Sequence, residues 1–120
     1  MSTGLRMVWC TCPPEVADTL ARTLVDERLA ACVNRISPVV STYRWQGAVE
    51  QAQEALLAIK TSEARYPDLE RRLRELHPYE CPEIVATPLV AGLASYLDWM
   101  HESLVATALQ VPRAPQTGPA

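Results

Sequence analysis

Two cysteines separated by one residue are the first candidates for chemistry in this chain. Cys10 and Cys12 come at the end of a short predicted strand, directly before a predicted helix. Side chains two residues apart on a strand face the same side, and the amides at a helix N-terminus lower the pKa of a nearby thiol. Two thiolates so placed would suit Cu(I) or another thiophilic ion. The alternative interpretation is that one or both are small buried apolar side chains.

His77 is the second candidate metal ligand because it ends a predicted helix. The helix dipole favours a cation at that end, and a neutral imidazole there could instead present a nitrogen to a metal. Helix capping alone explains the residue equally well. A nucleophile–base pair of a cysteine with His77 is disfavoured, because no third residue is spaced to orient the base. His101 is interpreted as a solvated surface residue.

The other two cysteines are interpreted as structural. Cys32 follows two alanines where a predicted helix passes into a strand, a place that favours close packing. Cys81 lies in a connection, and Pro78 breaks any helix that would align it with His77. The sequence contains no paired zinc-ligand motif, nucleophile elbow or phosphate-binding glycine loop. We therefore expect a protein that is not an enzyme.

Composition indicates one domain without a polyanionic partner. The chain has 120 residues, of which 48% are hydrophobic and 21% charged, and its formal net charge is −3. A negative net charge gives no sign of the basic surface that nucleic acid or an anionic membrane would bind. No apolar run reaches the ~18 residues of a membrane-spanning helix. Without a secretory signal and with four cysteines expected as thiols, the sequence predicts a cytoplasmic protein.

The hydrophobic pattern predicts the element order βαββαβ followed by a C-terminal helix. The predicted elements are, in order, a strand over 5–11, a helix over 15–31, strands over 32–45 and 48–60, a helix over 62–77, a strand over 83–90 and a helix over 93–104. This order is typical of the α+β ferredoxin-like split βαβ fold, with two helices on one face of a four-stranded antiparallel sheet. We expect a single domain over 1–105 and a disordered Pro-rich tail over 106–120.

The long hairpin predicted around Gln46-Gly47 exceeds what one protomer can cover. Arms of about a dozen residues at ~3.3 Å each run roughly 40 Å, well beyond an average strand. Tyr43, Trp45 and Val49 lie near the overhanging tip. Exposed aromatic side chains and unpaired strand edges form an association surface, so we expect a homo-oligomer.

Several short motifs, taken together, resemble the CutA divalent-cation tolerance family. They occur in order as CPPE at 12–15, LAACVN at 29–34, YRWQG at 43–47, KT at 60–61, HPYE at 77–80, PEI at 82–84 and YLDW at 96–99. The resemblance implies a ferredoxin-like protomer in a tight homotrimer whose long hairpins wrap across neighbours. It also implies tolerance of copper and other divalent ions, with metal contacts from Cys10 and His77.

The chain departs from the family pattern next to both implied ligands. Some members place two histidines before the Pro-Tyr, whereas this chain has Leu76 and then His77. Cys12 is a thiol where many members have a non-ligating residue, and we expect it to be an auxiliary ligand. Pro14 stands where an acidic N-cap is common, which removes a side-chain cap from the helix. The leading prediction is a non-enzymatic homotrimer that binds copper or another divalent cation and uses no organic cofactor.

A second hypothesis is a trimeric sensor of a small ligand. The family's assembly resembles the PII-type signalling trimers, which have clefts between protomers, and Trp45, Lys60, Tyr79 and Glu80 are the residues expected to line such a cleft. Interface packing and salt bridges are the alternative interpretation of these side chains. A small copper chaperone with the same fold is a third hypothesis, but the chain lacks the C-x-x-C loop of that class. A purely structural scaffold is a further possibility.

Overall fold

A four-stranded antiparallel sheet and three helices form the protein, for which a computed structural model describes residues 2–105. Along the chain the elements are β1 (Leu5–Cys12), α1 (Pro14–Asp26), β2 (Cys32–Trp45), β3 (Ala48–Ser62), α2 (Tyr66–Leu76), β4 (Val85–Pro88) and α3 (Ala94–Ser103). The strands lie in the order β2-β3-β1-β4 across the sheet. The predicted ferredoxin-like α+β fold with a terminal helix is therefore confirmed.

The main core lies between the sheet and the first two helices. Alternate residues of the central strands β1 and β3 point to this side, because successive side chains on a strand face opposite ways. They pack against the apolar faces of α1 and α2; the fully buried members include Val8, Cys10, Cys12, Leu57, Ile59, Leu24, Leu69 and Leu73. A smaller cluster joins α3 to the start of β1 through Leu5, Ala31, Met100 and Leu104.

Helix α1 is shorter than the sequence predicts. The helical spacing of apolar residues extends to Ala31, but the helix ends at Asp26. Arg28 takes a left-handed conformation with φ of 59°, and the amides of Leu29 and Ala30 both donate to the carbonyl of Leu24. The turn keeps Leu29 and Ala30 buried without continuing the helix. The apolar pattern therefore predicts the burial of these two residues correctly but not their conformation.

The other boundaries also differ at their ends. Helix α2 begins at Tyr66 because Thr61 and Ser62 continue β3 and pair with the first residues of β1. Strand β4 contains only the four residues Val85–Pro88 of the predicted 83–90. No described helix has both the length and the apolar character needed to cross a membrane. The tail predicted over 106–120 lies outside the described residues.

The hairpin of β2 and β3 is the longest feature of the molecule, whose extents are 49 × 30 × 26 Å. Its strands pair from Cys32 to Trp45, with a register shift between Ile36 and Val39, beside Pro38. Gln46 and Gly47 form the turn with φ of 50° and 83°. Positive φ at both central residues gives the turn the twist that a two-residue hairpin needs.

Candidate functional site

Cys10 and Cys12 share one face of β1, as their spacing predicts, but that face is the core. Both side chains are completely buried. Burial raises the pKa of Cys10 from 9.0 to about 12, with smaller contributions from Cys12, Glu83 and Glu54. It likewise raises the pKa of Cys12 to about 11, with Glu54 adding to the effect. The expectation that the amides of α1 would lower these pKa values is wrong, because the loss of hydration of the thiolate dominates.

His77 lies beside the cysteines and has both ring nitrogens engaged. As expected for a residue that ends α2, its backbone amide donates to the carbonyl of Leu73. The Nδ1 atom accepts the backbone N–H of Tyr79 at 3.1 Å, so Nε2 carries the proton and donates to the carbonyl of Thr11 at 2.8 Å. The buried ring thus joins the connection after α2 to the end of β1.

The three predicted metal ligands are neighbours without forming a cation site in one chain. Thr11, whose carbonyl binds His77, stands between Cys10 and Cys12. Within residues 2–105, no three His, Cys, Asp or Glu side chains are grouped so that they could hold an ion. The remaining cysteines differ from each other, since Cys32 is half-buried and Cys81 is exposed.

A cavity of about 760 Å³ opens next to the end of β1. One wall is the hairpin, where Tyr43 on β2 pairs directly with Glu50 on β3, and the other wall is the connection between α2 and β4. Thr11 lies on its inner side. Three aromatic and four acidic side chains line it, namely Tyr43, Trp45, Tyr79, Glu50, Glu54, Glu80 and Glu83, together with Cys81. The described residues that line it include no Lys, Arg or His, so its electrostatic character favours cations.

Glu54 is the innermost acid of this cavity and is only 5% exposed. Its Oε2 accepts the hydroxyl of Tyr79 at 2.8 Å, and burial and this carboxylate raise the pKa of that hydroxyl. No other hydrogen bond reaches Glu54 from the described residues, and none of their ion pairs includes it. No motif of the sequence singled out Glu54. One sequence feature could have indicated it, because Glu54 is a carboxylate at the point where the polar first half of β3 passes into its apolar second half.

The structure brings together three of the four residues predicted for the cleft. Trp45, Tyr79 and Glu80 line the cavity. Lys60 does not line it. Lys60 lies six residues beyond Glu54 along β3, which is about 20 Å on a strand. Its Nζ donates to the hydroxyl of Tyr96 on α3 at 2.9 Å. His101 is exposed, as expected, with Nε2 3.1 Å from the carbonyl of Thr3.

Comparison with known proteins assigns nearly the whole described length of the chain to one family. The model of the family "CutA1 divalent ion tolerance protein" matches residues 6–103. The chain belongs to the CutA1 family. A relative in this family, the divalent-cation tolerance protein CutA of Thermus thermophilus, is 53% identical over 89 residues, which are 74% of this chain and 86% of that protein. The human protein CutA is 44% identical over 93 residues, 77% of this chain but only 52% of the human one.

Solved structures of the family have the same fold. The divalent cation tolerance protein from Thermus thermophilus superposes with a TM-score of 0.81 at 50% identity and covers 82% of this chain and 97% of its own. CutA1 from Oryza sativa has a TM-score of 0.84 at 34% identity, with 88% of this chain and 98% of its own covered. The chain spans about half the length of the mammalian relatives it matches.

Proposed function

We propose that the chain is a non-enzymatic, cytoplasmic homotrimer that binds copper or another divalent cation and contributes to tolerance of that ion. The observation that carries the proposal is membership of a divalent ion tolerance family over residues 6–103. The acidic cavity next to the end of β1 supports it, because four carboxylates would raise the local concentration of cations.

Cys10 and His77 are the proposed ligands, with Cys12 as an auxiliary. Their support is proximity, since His77 bonds the residue that separates the two cysteines. A metal must displace the thiol proton of Cys10, whose pKa of about 12 leaves about a thousandfold less thiolate than the ordinary 9.0 would. Only a thiophilic ion such as Cu(I) offsets that cost, and water or a neighbouring copy must complete its coordination. Binding should therefore release protons and strengthen as the pH rises.

The uncovered hairpin supports the proposed trimer. Val40 and Val49 point to the face of its outer half opposite the cavity and are 61% and 65% exposed. No described helix covers that face, so its apolar surface meets solvent in a single chain. Association with further copies would bury it.

Cu(I) titration under reducing conditions, with light scattering to give the mass, tests the proposal. Cys10→Ser and His77→Ala should each weaken binding by more than about tenfold, the lower limit for residues that only support a ligand. Cys32→Ser and His101→Ala are matched controls, because neither residue belongs to the proposed set and neither lines the cavity. Equal Cu(I) affinity in all four variants would refute the ligand assignment, and a monomeric mass would refute the trimer.

A second candidate function is a small-ligand sensor, favoured by the cavity that brings Trp45, Tyr79 and Glu80 together. A volume of about 760 Å³ falls in the range of small-molecule sites. Thermal-shift measurements without metal distinguish the two functions, since stabilisation by an organic ligand supports sensing. Stabilisation by copper alone supports the first proposal.

A further inference from the structure

We propose that the cavity beside β1 binds a linear aliphatic polyamine, with one ammonium group at Glu54 and another at Glu50. The inference rests on the second candidate function, a ligand site in this cavity, and is independent of the proposed metal ligands.

Glu54 is a buried carboxylate with incomplete partners. It is 5% exposed, yet the described chain gives it only the hydroxyl of Tyr79, on Oε2. A buried charge without a counter-ion is costly, and buried carboxylates are normally paired or fully hydrogen-bonded. Glu54 lines the cavity, so a cationic N–H donor of a ligand there would satisfy both its charge and its remaining acceptor sites.

The aromatic side chains favour an organic cation over a bare metal ion. Tyr43, Trp45 and Tyr79 line the same cavity as Glu54. Aromatic faces attract ammonium groups and also pack against methylene groups, whereas a divalent ion needs converging oxygen ligands. No group of acidic side chains in residues 2–105 has the arrangement to hold an ion. A ligand with both ammonium and methylene groups matches this surface.

The spacing of the acids sets the length of the ligand. Glu50 and Glu54 lie on the same face of β3, four residues apart, which corresponds to about 13 Å. Tyr43 sits directly across from Glu50 in the register of the hairpin, beside the path between the two carboxylates. A polyamine with ammonium groups at both ends and an alkyl chain between them would contact all three residues. A short diamine would reach only one carboxylate at a time.

Calorimetric titration of the assembled, metal-free protein at low salt tests the inference with putrescine, spermidine and Mg²⁺ as probes. We expect spermidine to bind more tightly than putrescine, and Mg²⁺ to bind more weakly than either. Glu54→Gln and Glu50→Gln should each weaken spermidine binding by about 10- to 100-fold, the loss typical of one charged hydrogen bond. Glu102→Gln on α3 is the matched control and should bind as the parent does.

Glu54→Gln keeps an acceptor for Tyr79, and circular dichroism of each variant establishes that it is folded. Absence of spermidine binding would overturn the inference, as would equal losses in Glu50→Gln and Glu102→Gln. Binding that follows only the charge of the probe, with Mg²⁺ equal to putrescine, would also overturn it. The copper titration remains a separate readout, because a protein that binds Cu(I) through Cys10 but no polyamine retains the proposed function and lacks this site.

Discussion

Alkaline pH should destabilise the fold through the buried thiol of Cys10. Burial raises its pKa in the folded protein to about 12, whereas an unfolded chain titrates near 9.0. Below pH 9 both states carry the proton, so this contribution to stability is fully present there. Between pH 9 and 12 only the unfolded state releases it, and the free energy of unfolding therefore falls as the pH rises.

The size of the effect follows from the shift of three pKa units. The full loss is about 4 kcal/mol by pH 12, and about 2 kcal/mol is already lost between pH 8 and 10.5. Cys10→Ala removes this titration, although it also lowers stability by a constant amount because it leaves a small void. The free energy of unfolding of the variant should thus approach that of the parent protein as the pH rises.

Urea unfolding followed by circular dichroism at pH 8, 9, 10 and 10.5 measures the difference. Protein concentration is held equal for all samples, since the stability of the proposed trimer would depend on it. Cys12 is present in both proteins, so its own titration largely cancels in the comparison. Cys81→Ser, at an exposed thiol, should run parallel to the parent. If Cys10→Ala also ran parallel to the parent, the buried thiol would not be the group whose titration lowers the stability.

Three further predictions concern the core, the cavity and the hairpin turn. Leu73→Ala should lower the free energy of unfolding by about 2–5 kcal/mol in urea denaturation, because Leu73 is fully buried between α2 and the sheet; a loss below about 1 kcal/mol would contradict its place in the core. Tyr79→Phe should cost about 1–3 kcal/mol in thermal unfolding since it removes the one hydrogen bond that Glu54 receives from the described residues, and unchanged stability would show that the bond contributes nothing. Gly47→Val should cost about 1–3 kcal/mol because its φ of 83° disfavours a branched side chain; with nothing within 4 Å of the added Cβ, a larger loss would point to a contact that the structure lacks.

Much of the fold could be predicted from the sequence because local patterns determine it. Leu69 and Leu73 recur at helical spacing, and the Pro-Pro after Cys12 and the Pro after His77 stop a strand and a helix. The end of α1 was missed because the positive φ of Arg28 ends the helix, and arginine gives no indication of such a turn. Periodicity reports burial, and Leu29 and Ala30 are buried without being helical.

The site was predictable only in part, because its chemistry depends on which face each strand turns inward. Alternation placed Cys10 and Cys12 together, but it could not say that their side of β1 is the covered one. Trp45, Tyr79 and Glu80 line one cavity of the single chain and Lys60 lies farther along β3, while the cleft between protomers that was expected for all four stays a prediction. Such separations are set by the strand register, which no short motif encodes.

The imidazole of His77 also has a consequence for the rim of the sheet. Strand β4 pairs with β1 only from Arg6 to Trp9, so beyond that point no described strand pairs with β1 on this side. His77 donates to the carbonyl of Thr11 there, which is the kind of contact that a longer β4 would have supplied. The His77 side chain thus occupies a backbone acceptor at the edge of the sheet. This contact hinders pairing of the exposed stretch with a strand of another chain.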